Sequence, residues 1–268
     1  MKSYYFLAGL PRTGNTLLSS ILNQNPTIHS SPLSPVVEML WQHDQIVLNT
    51  QNAIRLNDKK ALDNIGNTIL DNYYTNIDKP IIIDREKAWG TAPNFDLIKK
   101  YITPNPKIIF TTRPIIEILT SFLKVLKTNE LNFDVDMIQS NWIIKNHLSQ
   151  EDNYCDFLMQ PWGQINKLLT SIDTIQENKD NFCLIKYEDI ISTPQEVMNK
   201  IYNFLELPSY DHDFNNIKKL EIDNDEATGL PANLHEIRPQ LKKISQDPKE
   251  VLSKYIIDKY SNIGWEGL

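Results

Sequence analysis

Apolar residues are arranged along this chain in two patterns. Four short runs are apolar almost without alternation: "YYFLAGL" (4–10), "PIIID" (80–84), "KIIFTTR" (107–113) and "FCLIKY" (182–187). Unbroken apolar runs of this length, rich in β-branched and aromatic residues, predict strands buried on both faces, as in a parallel sheet. Between them the apolar positions recur at helical spacing, first at Leu17, Leu18, Ile21 and Leu22 and later at Ile115, Ile118, Leu119, Phe122, Leu123 and Leu126. The stretch "TPQEVMNKIYNFLEL" predicts a further helix, with Pro194 in its first turn and a stripe of Val197, Ile201, Phe204 and Leu205. Strands alternating with helices predict an α/β fold built as a three-layer, doubly wound parallel sheet. No repeat, low-complexity tract or shift in composition divides the chain, so residues 1–268 read as a single domain. A helical insertion is expected around 133–176, where Trp142, His147, Tyr154 and Trp162 are either core or the walls of an acceptor pocket.

Composition narrows the partners. The 268 residues are 41% hydrophobic and 23% charged, enough for a substantial core. A formal net charge of -7 supplies no overall field that would gather nucleic acid or an anionic membrane, so an anionic ligand has to be held by a local cluster. The two cysteines, Cys155 and Cys183, offer neither a disulfide framework nor metal-ligand spacing, and Cys183 lies in an apolar run as a small buried filler. No apolar run approaches the ~20 residues that span a bilayer, and "YYFLAGL" is short and lacks a cleavage site of small residues. The expectation is a cytoplasmic protein with no membrane or nucleic-acid partner, its oligomeric state open.

The candidate chemistry begins where the first strand ends. "GLPRTGNT" (9–16) joins a strand to a helix through two glycines and a proline, which presents unpaired backbone N–H groups and the positive end of a helix dipole to one point. A phosphate fits there. The spacing satisfies G-x-x-x-x-G-x-[ST], but Asn15 stands where a P-loop nucleotidase has its lysine, so the positive charge comes from Arg12.

"PRTGNTLL" is similar to the P-[KR]-[ST]-G-[TS]-T-x-[LW] loop of the sulfotransferases that use 3′-phosphoadenosine 5′-phosphosulfate, PAPS. A second match is independent of it: "FTTRPIIEILTSFLK" resembles the family's arginine at the end of a later strand with a serine eight positions on, here Arg113 and Ser121, which together hold the donor's 3′-phosphate. "IKYEDI" resembles the Y-E-D segment that puts Tyr187 near the adenine, and "GLPANLHEIRPQL" resembles the stretch of bacterial members in which Arg238 would close over the phosphates. With "FDVDMIQSNW", the layout looks like the bacterial and tyrosyl-protein members. The resemblance implies a P-loop fold and sulfuryl transfer from PAPS to a hydroxyl or amine, with the bisphosphate PAP as product and no metal. The acceptor would be a small molecule or a peptide or glycan hydroxyl. Arg12, Thr13, Gly14, Asn15 and Thr16 would bind the donor, with Arg12 also reaching the bridging oxygen where charge develops.

A base for the acceptor proton is less sharply marked. Aligned on the strand end, "IIIDREKAWG" places Glu86 at the position of the family's catalytic histidine, with Arg85 or Lys87 assisting the sulfuryl oxygens. Other members use a glutamate in a "G-E" context, which "HSSPLSPVVEML" lacks; its one acid is Glu38. Asp84 is a third candidate, and His43 and His235 are the histidines most able to touch the acceptor. Cations beside Glu86 would keep it ionised, or lower its pKa too far for a strong base. Two other functions stay open: a P-loop kinase or nucleotidase, with Asp84 as its Mg²⁺-binding acid, and a protein that binds PAPS or PAP without catalysis.

Overall fold

The computed structural model of the chain describes residues 2–56, 58–129, 145, 147–218, 237–242 and 246–265. Five strands form one parallel sheet: β1 (Ser3–Gly9), β2 (Ile28–Ser30), β3 (Ile81–Arg85), β4 (Ile108–Thr112) and β5 (Phe182–Lys186), in the order β2-β3-β1-β4-β5. Four of them are the runs expected. β2 was not, because three residues that include His29 and Ser30 carry neither an apolar run nor alternation. The last strand is also shorter than expected, since Tyr187 already opens the helix Tyr187–Ser192.

Both faces of the sheet are covered, and the alternation of side chains along each strand assigns the layers. Leu7, Ile83, Ile109, Cys183 and Ile185 pack against α1 (Asn15–Leu22) and the helix Pro194–Leu205. Phe6, Ala8, Ile82, Ile108, Phe110 and Phe182 pack on the other face against α2 (Val36–Asn49), α4 (Lys60–Tyr73) and α5 (Ala92–Tyr101), which a short helix α3 (Gln51–Ile54) helps to connect. Each fully buried Leu, Ile or Phe of these layers contributes about 1.5–3 kcal/mol of transfer free energy. The three-layer, doubly wound arrangement is therefore the one present. A parallel sheet whose first strand is central has its switch point there: after β3 pairs on one side of β1, the chain crosses to place β4 on the other.

The two edge strands each have a carbonyl closed by a lysine ammonium: Lys79 donates to Ile28 O in β2 at 2.7 Å, and Lys200 to Leu184 O in β5 at 2.7 Å.

A third apolar cluster joins α6 (Ile115–Thr128) to the helices Gln150–Leu158 and Lys254–Tyr260. Tyr154 and Cys155 are buried in it, so Tyr154 belongs to the core. Trp162 is 61% exposed and His147 is also exposed, while Trp142 and most of the first part of the expected insertion lie outside the described residues. The cluster is fastened by Asp156, whose side chain is 0% exposed. Its carboxylate accepts from Lys145 Nζ at 2.8 Å, Lys259 Nζ at 2.7 Å, Tyr255 OH at 3.0 Å and Tyr260 OH at 2.7 Å. Burial would raise its pKa, but those four donors together hold it at about 2.

Because the folded pKa lies below the unfolded value, the stabilisation from Asp156 is full above pH ~4 and is lost as pH falls from there toward 2. Asp156→Ala is expected to lower stability by about 2–3 kcal/mol at pH 7, since both lysines are partly solvated and the tyrosine hydroxyls are left short of an acceptor. Urea unfolding at pH 7 and pH 3 checks both statements, because the gap between wild type and variant should narrow at the lower pH.

Candidate active site

The ends of β1, β3 and β4 lie side by side, and every residue that the two main motifs single out is at this C-terminal edge of the sheet. The loop from Leu10 to Gly14 leaves β1 through Gly9 at φ 143°, where a Cβ would collide with Thr111 of β4. Arg12 follows at φ 63° and Gly14 at φ 84°. A side chain at Gly14 would also meet Tyr187, with the new Cβ 2.9 Å from Tyr187 Cδ2. Gly14 caps α1 with no side-chain hydrogen bond, which leaves the first amides of the helix pointing into the loop.

Thr13 and Asn15 hold that loop from inside. Thr13 Oγ1 donates to Leu10 O at 2.6 Å and lies 2.6 Å from Thr111 Oγ1, and Thr111 Oγ1 donates to Asn15 Oδ1 at 2.8 Å. Both side chains are buried and engaged, so what these two residues can offer an anion is their backbone N–H. Thr111 lies within the "FTTRPIIEILTSFLK" stretch without being singled out there, and it locks the loop to the sheet.

The cations converge around the loop. Arg113, just beyond β4, is 6% exposed and donates from Nη1 to the backbone carbonyl of Arg12 at 3.1 Å. Its guanidinium lies over the Tyr187 ring, 4.4 Å from the centroid. Arg12 in turn donates from Nε to Ser121 Oγ at 3.1 Å. The two motifs, 101 residues apart in the chain at Arg12 and Arg113, are therefore one constellation. Burial first, and Arg113 second, lower the pKa of Arg12. Arg85 ends β3 on the side facing α1, and its Nη1 donates to Thr16 Oγ1 at 2.6 Å. Arg238 is exposed, in a segment fastened by a 2.8 Å hydrogen bond from Ile217 N to Pro239 O.

Glu86 follows Arg85 directly. Its backbone N–H donates to Leu7 O at 3.2 Å, and its carboxylate caps the turn Lys87–Gly90 by accepting from Ala88 N at 3.3 Å. Burial raises its pKa; Lys87 opposes this, while Glu38 and Asp84 add to it. Desolvation thus outweighs the neighbouring cation, the opposite of the lowering that adjacent cations alone would give. The Lys87 ammonium is lowered by its own burial, held up by Glu86, and lowered again by Arg85, Lys167 and Arg12.

The other base candidates are placed differently. Asp84 points away from Arg85 into the opposite layer, fully buried, where it accepts from Tyr74 OH at 2.7 Å and Trp89 Nε1 at 2.7 Å. It is a structural acid, sealed from an acceptor and equally from a Mg²⁺ ion. Glu38 is exposed in the first turn of α2. His43 is buried edge-on to Tyr101 at 5.4 Å between ring centroids, and His235 lies outside the described residues. Among the described residues, no group of three His, Cys, Asp or Glu is placed to hold a metal ion, and no helix is long and apolar enough to cross a membrane.

A glycine-turn loop at the switch point of a parallel sheet, flanked by arginines from two strand ends, is an arrangement suited to an anionic group. The sequence matches the sulfotransferase family over residues 5–212, and the chain belongs to that family. No curated protein matches the sequence significantly. Among solved structures, the chain is similar to the sulfotransferase domain from the curacin biosynthetic pathway at 15% identity, with a TM-score of 0.52, covering 99% of this chain and 93% of that one. It is similar to a sulfotransferase from Alicyclobacillus acidocaldarius at 12% identity and a TM-score of 0.51, over 85% of this chain and 90% of that one. A mouse sulfotransferase complexed with PAP is more distant, at 16% identity and a TM-score of 0.44 over 79% and 61% of the two chains. The shared feature is the fold, and membership of the family supports an enzyme that transfers sulfuryl groups.

Gly14→Ala is expected to lower stability by about 1–3 kcal/mol, because the substitution strains a positive φ and pushes on Tyr187 at once. Thermal melting measures the loss, and a shift in tyrosine fluorescence or near-UV dichroism reports whether Tyr187 has moved.

Proposed function

We propose that this chain transfers the sulfuryl group of PAPS to a hydroxyl or amine acceptor by in-line displacement, releasing PAP. The observation that carries this is the joining of Arg12, Arg113 and Ser121 into one cluster, with Lys87 in electrostatic range of both Arg12 and Glu86. Arg113 and Ser121 hold the 3′-phosphate, Tyr187 lies toward the adenine, and the amides of the loop with Thr16 hold the 5′ end. Arg238 closes over the phosphates from its exposed segment. The bound donor supplies an activated sulfate ester whose S–O bond to the 5′-phosphate breaks as the acceptor oxygen or nitrogen bonds to sulfur. Glu86 takes the acceptor proton, and its raised pKa makes it a better base than a solvated glutamate. Arg12, Arg85 and Lys87 face the oxygens on which charge grows, with their positions fixed before the reaction, which is where such donors are most effective. Acceptors in keeping with this reading are small molecules and peptide or glycan hydroxyls. The kinase reading depends on Asp84 as a metal ligand, and the bonds from Tyr74 and Trp89 count against it.

Calorimetric titration with 3′,5′-adenosine bisphosphate, AMP and Mg-ATP tests the donor. Micromolar or tighter binding of the bisphosphate, with AMP much weaker, is expected, and Arg113→Ala should reduce that affinity by about 2–5 kcal/mol. Preference for Mg-ATP would overturn the reading in favour of a kinase or nucleotidase.

Glu86→Gln tests the base. With labelled donor and a screened acceptor, kcat should fall by on the order of 10²-fold or more while bisphosphate affinity stays near wild type. In the wild type, kcat should drop on the acid side with an apparent pKa above the ordinary glutamate value, since the carboxyl must be ionised to accept the proton. Retained activity in Glu86→Gln would move the base to another group.

A further inference from the structure

Two acids that the motifs leave unused stand behind Arg113. Glu117, one turn into α6 at i+4 from Arg113, accepts from Arg113 Nε through Oε2 at 3.1 Å. Glu188, from the helix that follows β5, brings Oε1 to 4.0 Å from the same Nε. That oxygen is sealed from solvent and takes no hydrogen bond. The Arg113 fork is thus fixed on several sides: Nε by Glu117, Nη1 by the Arg12 carbonyl, and its plane by the Tyr187 ring. Its remaining N–H groups are what a bound phosphate can use.

The two carboxylates do different things to that fork. Glu117 makes a direct, aligned bond and so determines where the guanidinium points. Glu188 makes none, so its contribution to Arg113 is charge alone. We propose that Glu117 is the positioning residue of the 3′-phosphate subsite and that Glu188 weakens this subsite by offsetting the charge of Arg113, which lets the bisphosphate product leave; this rests on the donor reading above. The charged and titratable groups facing the pair are Arg113, Arg12 and Tyr187, with the two glutamates facing each other. Burial raises the Glu188 carboxyl and its own backbone N–H opposes this; the charge of Glu117 and a hydrogen bond to it add to the rise, while Arg113 counters it. With two acids against Arg113, Arg12 is left to provide the excess of positive charge toward a dianion.

The two roles predict opposite signs. Titration of the full chain with 3′,5′-adenosine bisphosphate and with AMP, in wild type, Glu117→Ala, Glu117→Gln and Glu188→Gln, reads them. Glu188→Gln should tighten the bisphosphate several-fold and leave AMP unchanged, because only the former places charge beside Arg113. Glu117→Ala should weaken the bisphosphate about tenfold with AMP again unchanged, and Glu117→Gln should recover much of that, since the amide oxygen can still accept from Nε. In turnover, Glu188→Gln should show stronger inhibition by the product. Unchanged or weaker bisphosphate binding in Glu188→Gln overturns the charge-offset role, and unchanged binding in Glu117→Ala overturns the positioning role. If Glu117→Ala fails to fold, the contrast between Glu117→Gln and Glu188→Gln still decides the sign. Equal affinity of the wild type for bisphosphate and AMP would be a different failure, that of the donor reading itself.

Discussion

Holding several like charges together at one edge of a sheet is the constraint on which the rest of this structure depends. Arg12, Arg85, Lys87 and Arg113 are drawn from three strand ends in a chain whose net charge is -7. Left to themselves they would turn outward into water. The three arginines are instead tied inward by groups that leave part of each available: Ser121 for Arg12, the Arg12 carbonyl for Arg113, and Thr16 for Arg85. The left-handed backbone at Arg12 is part of the same arrangement, since the loop turns there to aim a carbonyl at one arginine while the side chain reaches α6.

Three acids show how surroundings divide one chemistry into separate tasks. Asp84 and Asp156 are both fully buried, yet Asp84 has only neutral donors and is raised by burial, whereas Asp156 has two lysines and is held low. Both are structural: one anchors the base of β3, the other fastens the C-terminal helix. Glu86 differs in having one weak backbone partner and an adjacent lysine, so its lone pairs are less fully used. Proximity to the loop would not have separated it from Asp84, which is two residues away in sequence, nor would alternation, which gives both the same face; β3 ends at Arg85, and Glu86 turns to cap Lys87–Gly90 while Asp84 stays in the core.

Much of the fold could be read from the sequence because buried parallel strands announce themselves as unbroken apolar runs. β2 escaped because an edge strand of three residues, two of them polar, is shaped by its pairing with β3 and not by its own preferences. The loop, Arg113 and Ser121 were legible because their spacing along the chain is fixed by the elements that carry them. The inward turn of Thr13 and Asn15 was not, since the partner that claims them, Thr111, is nearly a hundred residues distant and looks like any strand threonine. Glu117 had a local signal in its i+4 spacing from Arg113; Glu188 stood in the Y-E-D segment, but its closeness to that arginine arises only when β5 docks beside β4. Arg238 remains where the sequence left it, exposed and joined to the rest of the molecule through its neighbour Pro239.

The lysines on the two outermost strands have a bearing on the company this protein keeps. A parallel sheet open at both sides offers a row of backbone groups to any extended chain that passes, and the usual result is edge-to-edge association. Lys79 and Lys200 occupy one carbonyl on each border, and each leaves a positive charge where an intruding strand would have to lie. Extending the ladder would mean displacing an ammonium from its acceptor on either side. The molecule thereby carries its own deterrent to sheet-mediated self-assembly, at the cost of two surface residues that have no part in binding or chemistry.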